Sequence, residues 1–129
     1  MALTMTRTRT QTALTKLAQQ VAIVHGELAF VEELLGNSLD PWLAQLQRIK
    51  SGRPITEDVL RHGLAHRHQT LICIRNALYT TVQQFDPDLD PEQIGTLDEW
   101  LKPYGLRSAR TTRCRALLHY AMAGGARTA

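Results

Sequence analysis

The chain has 129 residues, of which 43% are hydrophobic and 21% charged. This length fits a single domain that can bury a core without disulfides or metal, and the balance excludes a disordered chain. The formal net charge of +3 is unevenly spread: +3 before Glu27, −6 over residues 27–99, which hold every acid, and +6 after Glu99. Two cationic ends around an acidic centre are a reason to look for an anionic partner.

The first element is the clearest. Leu14, Leu17, Val21, Val24, Leu28, Val31 and Leu35 recur at alternating spacings of three and four, which predicts a helix over about 12–35. Ile23, Phe30 and Leu34 widen the stripe toward a bundle face, and Gly36-Asn37 supplies a stop. Residues 1–11 read as a basic, flexible tail before the helical domain 12–129. Asp40-Pro41 predicts a short helix with Asp40 as N-cap, bearing Trp42, Leu43, Leu46 and Ile49, and ended by Ser51-Gly52-Arg53-Pro54.

A second long helix is expected over 57–85, with Glu57 and Asp58 in its first turn and Leu60, Leu64, Leu71, Ile74, Leu78, Val82 and Phe85 on one face. Arg67 interrupts that face and needs a carboxylate, Glu32 or Glu33, or an external anion. Residues 86–93 carry Pro87 and Pro91 among acids and read as turns. Thr96-Leu97-Asp98-Glu99 has capping-box spacing for a short helix through Lys102, broken by Pro103-Tyr104-Gly105. Ser108 then caps a last helix to about Met122, ahead of Gly124-Gly125. No run alternates like a strand. The fold expected is an all-α bundle of two long helices, about 12–35 and 57–85, and about three short ones.

The last helix carries the main functional signal. Arg107, Arg110, Arg113 and Arg115 crowd its start, where the helix dipole disfavours cations and where phosphates are readily bound. The alternatives are pairing with the acids of 86–99 and plain solvation. Arg7, Arg9, Arg67 and Arg75 join the four as expected nucleic-acid contacts. With aromatic residues at 5%, contact with backbone is expected over stacking on bases.

Other sites are sparse. Asp58, His62 and His66 share a helical stripe near Cys73, yet two His at that spacing lack a third ligand and the glutamate of zinc hydrolases. His25, His68 and His119 read as core-edge residues. Cys73 and Cys114 lack a nucleophile pattern, Gly124-Gly125 lacks the lysine of a phosphate loop, and Asp86-Pro87-Asp88-Leu89-Asp90 lacks the spacing of a calcium loop. The reading is a non-enzyme with no catalytic residue, metal or cofactor. No stretch is apolar enough to span a membrane, and no secretory leader precedes the two cysteines, so a cytoplasmic setting is expected.

The segment Leu101-Lys102-Pro103-Tyr104-Gly105-Leu106-Arg107-Ser108-Ala109-Arg110 is similar to part of helix-hairpin-helix DNA glycosylases, without that family's hairpin or catalytic aspartate. Over the whole chain, the two seams and the arginines from Arg107 to Arg115 look like the small helical subunit of CRISPR effector complexes. That resemblance implies a non-catalytic ribonucleoprotein subunit that lines a nucleic-acid groove in several copies. The function expected is a sequence-independent binder of RNA or DNA backbone within a larger assembly, with other protein subunits as partners and an acidic centre able to meet the basic end of a second copy. The alternatives are an interaction or oligomerisation module, and a helix-turn-helix regulator using residues 97–122.

Overall fold

The computed structural model describes residues 8–47, 55–105 and 108–125. Its elements are α1 (Arg9–Leu35), α2 (Asp40–Leu46), α3 (Glu57–Phe85), a 3-10 turn (Pro91–Gln93), a 3-10 helix (Asp98–Tyr104) and α4 (Ala109–Gly125). It is an all-α bundle with no strand among the described residues. No helix there is long and apolar enough to cross a membrane.

Both long helices begin where the side chains cap them. Thr8 and Gln11 close a reciprocal capping box, so α1 starts at Arg9, three residues before the expected start and inside the expected tail. The Thr56 hydroxyl accepts from the Val59 N–H at 3.2 Å and opens α3. Two expected caps are not formed. Leu39, not Asp40, is the N-cap of α2, which places Asp40 at N1. Leu97 precedes the 3-10 helix with no side-chain cap, so the Thr96 capping box is absent. Pro103 lies inside that 3-10 helix, which runs on to Gly105 at φ +110. A left-handed residue at that point favours glycine.

The core lies where α4 covers α1 and α3. Val24, Leu28, Val31, Leu34, Leu60, Leu64, Leu71, Ala116, Leu117, Tyr120 and Ala121 form one buried cluster, closed by Leu39, Leu46 and Trp100. Gly63 sets the closest approach of α3 and α4: a Cβ there would meet the Tyr120 carbonyl group, its carbon at 2.6 Å. Gly26 does the same for Trp100, whose Cδ1 would lie 2.9 Å from an added Cβ.

The predicted seams outrun this cover. Leu14 and Leu17 on α1 and Leu78 on α3 are half-buried, Ile74 is 39% exposed and Phe85 43% exposed. The periodicity placed all of them on a core face; α4 reaches only the other half of the α1–α3 pair. Where the cover stops, the polar positions carry Thr, Gln and Asn together with Lys16 and Arg75, and α3 has no Asp or Glu after Asp58.

Arg61 fastens the turn after α1. It donates to the Leu35 and Asn37 carbonyls at 3.4 and 3.2 Å and pairs with Glu57 at 3.0 Å. The acidic loop behaves as turn chemistry: Asp86 accepts from the Asp88 N–H and Asp90 from the Glu92 N–H. His25 ties this loop to the bundle. Its Nδ1–H donates to the Ile94 carbonyl at 2.9 Å, while Nε2 accepts from the Tyr79 hydroxyl at 2.5 Å.

A candidate anion-binding surface on α4 and a cleft beneath it

The structure divides the basic residues into two sets. Arg67 belongs to the paired set. Its Nε and Nη2 donate to the two carboxylate oxygens of Glu27 at 2.6 and 2.9 Å. The Tyr120 hydroxyl donates to the same carboxylate at 2.5 Å. Glu27 is 5% exposed, so its charge depends on these donors. The hydrogen bond to Glu27 holds the Arg67 guanidinium above its ordinary pKa. Burial, and then the Glu27 carboxylate, raise the Tyr120 phenol well above its usual range, and they raise the Tyr104 phenol in the same order. The partner of Arg67 is therefore Glu27 and not the expected Glu32 or Glu33. Glu32 instead lies 3.7 Å from His68. The missed signal was Glu27 itself, a charge flanked by the α1 seam as Arg67 is by the α3 seam.

The arginines of α4 separate from one another. Arg113 is drawn inward: its guanidinium lies 5.6 Å from the Phe30 ring centroid, and Nη2 is 3.7 Å from Asp98. The acid pairing weighed as an alternative for this helix occurs here. Arg110 is exposed and leans on α2, where the Gln45 amide oxygen, turned toward it, accepts from Nε at 2.8 Å. Beyond that amide lies the buried Cys114 Sγ, at 2.7 Å. Burial raises the Cys114 thiol, and the Arg110 charge opposes that rise. Arg115 is exposed and has no ion pair among the described residues. One face of the helix is committed to the core through Thr112, Cys114, Ala116, Leu117, Tyr120 and Ala121, while His119 and Met122 are exposed.

On the α1–α3 half, Arg75 hydrogen-bonds to Asn76 and lies 5.5 Å from the Tyr79 ring centroid. Arg9 is exposed at the start of α1, and Lys16 follows two turns later. Among the described residues, Arg9, Lys16, Arg75, Arg110 and Arg115 have no carboxylate in ion-pair reach, whereas Arg61, Arg67, Lys102 and Arg113 have one. Arg7 and Arg107 lie outside the described residues. The structure brings Arg110, Arg113 and Arg115 onto one helix and leaves Arg9 and Arg75 on α1 and α3.

Beside α4 is a half-open cleft of about 330 Å³, lined by Phe30, Trp42, Trp100, Glu33, Asp98 and Arg113, with Gly26, Ala29, Leu34 and Thr96. Phe30 is its hub: Trp100 is tilted against it at 5.3 Å between centroids, and Trp42 meets it edge-on at 5.9 Å. No linear pattern marks this cleft, because Phe30, Trp42 and Trp100 come from three separate elements.

On α3, Asp58 and His62 are exposed, His66 is half-buried and Cys73 is exposed. Among the described residues no three His, Cys, Asp or Glu side chains converge as a metal site would require. Comparison with protein-family models, curated proteins and solved structures gives no significant match.

Proposed function

We propose that this chain is a non-catalytic helical subunit that holds the phosphate backbone of a nucleic acid within a larger assembly, as the small subunit of CRISPR effector complexes does. The observation that carries the reading is the set of five basic side chains, Arg9, Lys16, Arg75, Arg110 and Arg115, that the fold leaves without a carboxylate among the described residues. Phosphates are the ligands such unpaired cations recruit, through charge and not sequence. The element before α4 is a seven-residue 3-10 helix and not the α-helix that a helix-turn-helix lays across the backbone, which favours this over a recognition helix. Arg67 plays a structural part here, being spent on Glu27.

The test is fluorescence anisotropy with a labelled single-stranded RNA and a labelled DNA duplex over a salt series. Affinity is expected to fall steeply with salt, and these backbone contacts are expected to contribute alike on every sequence. Each lost phosphate contact lowers the log–log slope by about 0.7 on single strands. Arg110→Glu/Arg115→Glu should abolish binding while the far-ultraviolet circular dichroism is unchanged. Unchanged affinity and slope in that variant would overturn the reading. Arg113 is left out because its reversal would disturb the Phe30 and Asp98 contacts.

A second reading, an interaction module, is favoured by one observation: the uncovered α3 edge at Ile74 and Phe85. Sedimentation across a concentration series, with Ile74→Gln/Phe85→Gln as control, reports self-association through it.

A further inference from the structure

We infer that the cleft between α1, α2, the 3-10 helix and α4 takes a single unstacked nucleobase, and that guanine is the base it fits. This rests on the nucleic-acid reading above and gives the backbone contacts a base beside them.

The cleft volume of about 330 Å³ lies at the lower end of small-ligand sites, roughly 300–1,000 Å³. Its walls are the chain's two tryptophans and Phe30. Trp100 is buried and Phe30 has Arg113 and Trp100 against it. Trp42 is half-buried, meets Phe30 in a T-shaped contact and lines the cleft, so it is the aromatic wall on which a base would lie. Bases splayed out of single strands are recognised by such stacking combined with hydrogen bonds at their edges.

The polar lining selects among bases. Glu33 is exposed and has no ion pair among the described residues, and Asp98, mostly exposed, makes only the 3.7 Å contact with Arg113. These carboxylates accept and cannot donate. Arg113 offers the opposite character: its side chain is one-third exposed, and Nη2 is beyond hydrogen-bond length from Asp98. The lining thus asks for a planar ligand with donors on one edge and acceptors on another. Guanine has N1–H and N2–H2 donors for a carboxylate and O6 and N7 acceptors for a guanidinium. Adenine lacks the O6 acceptor, and the pyrimidines lack N7. Arg110, one turn before Arg113 and against Gln45 of α2, is on the same flank of α4 to hold the adjoining phosphate.

Both tryptophans line the cleft, so intrinsic fluorescence reports on it directly. The full chain is titrated with guanosine, adenosine, cytidine and uridine 5′-monophosphates. It is then titrated with oligouridylate hexamers carrying one central guanine or one abasic residue. Guanosine monophosphate should quench at concentrations about ten-fold below the other three, and the guanine hexamer should bind on the order of ten-fold tighter than the abasic one. Glu33→Gln, an exposed position, and Trp42→Ala should each remove the guanine preference and leave the salt slope of backbone binding intact. Binding of both hexamers with equal affinity and no quenching would overturn the cleft assignment and leave the backbone reading standing. Equal quenching by all four mononucleotides would overturn the guanine assignment. Quenching by guanosine monophosphate without hexamer binding would support the cleft and overturn the backbone reading.

Discussion

The Glu27–Arg67 pair should be strongly asymmetric in its response to mutation. The Glu27 side chain is 6% exposed and that of Arg67 33%, so removal of either partner leaves a different orphan. Arg67→Met leaves a buried carboxylate with the Tyr120 hydroxyl as its one remaining side-chain donor among the described residues. Breaking a buried pair in this way costs about 3–5 kcal/mol, and water entering beside a one-third-exposed position favours the lower figure, about 3 kcal/mol. Glu27→Gln leaves a guanidinium that can turn to solvent and an amide oxygen that still accepts from Tyr120. Its cost is that of the charge-assisted hydrogen bonds, about 1.5 kcal/mol. Glu27→Leu/Arg67→Met removes both charges and should cost less than Arg67→Met alone. Urea denaturation followed by circular dichroism measures all three. With a slope near 2 kcal/mol per molar, as is ordinary for small domains, Arg67→Met should lower the midpoint by about 1.5 M. A cost for Arg67→Met no larger than that for Glu27→Gln would refute the assignment of the carboxylate as the dependent partner. Under conditions where it remains folded, Arg67→Met should also leave the salt slope of nucleic-acid binding unchanged.

Other outcomes follow from the same geometry. Gly63→Ala gains about 1 kcal/mol of helix propensity but drives a Cβ into the Tyr120 carbonyl group; thermal melting should show a net loss of at least about 2 kcal/mol, through separation of α3 from α4. The phenols of Tyr79, Tyr104 and Tyr120 are all raised, burial being the largest cause of each. A raised phenol binds its proton more tightly in the fold, so this stability is complete below the unfolded value of about 10 and is lost as pH rises above it. Tm should therefore fall from about pH 10 upward, less steeply in Tyr120→Phe than in the wild type. Phe85→Gln and Ile74→Gln should each cost under about 1 kcal/mol by chemical denaturation, whereas Leu71→Ala, at 1% exposure, should cost about 2–5 kcal/mol.

Much of the fold was legible because it depends on local rules. The spacing of apolar residues marked α1 and α3, the prolines and glycines marked the breaks, and Ser108 marked the start of α4. The errors were also local: Thr8 and Gln11 extend α1 into the expected tail, and the Thr96 box does not close because the following segment is 3-10. Sequence periodicity assigns a face to a helix but not what covers it. Leu14, Ile74 and Phe85 therefore read like Leu28 and Leu64, although α4 covers only the latter pair.

The charge split, the all-helical character and the identity of the arginines were fixed by the amino-acid sequence alone. Tertiary structure decided which cations are spent. Arg67 is held by Glu27, forty positions away, and Arg113 by Phe30 and Asp98, whereas Arg110 and Arg115 on the same helix have no carboxylate partner among the described residues. It also decided that Phe30, Trp42 and Trp100 meet. A side chain's partner is chosen by packing between distant segments, and burial makes that choice matter: it multiplies the cost of an unpaired charge and orients each ring, neither of which a linear pattern encodes.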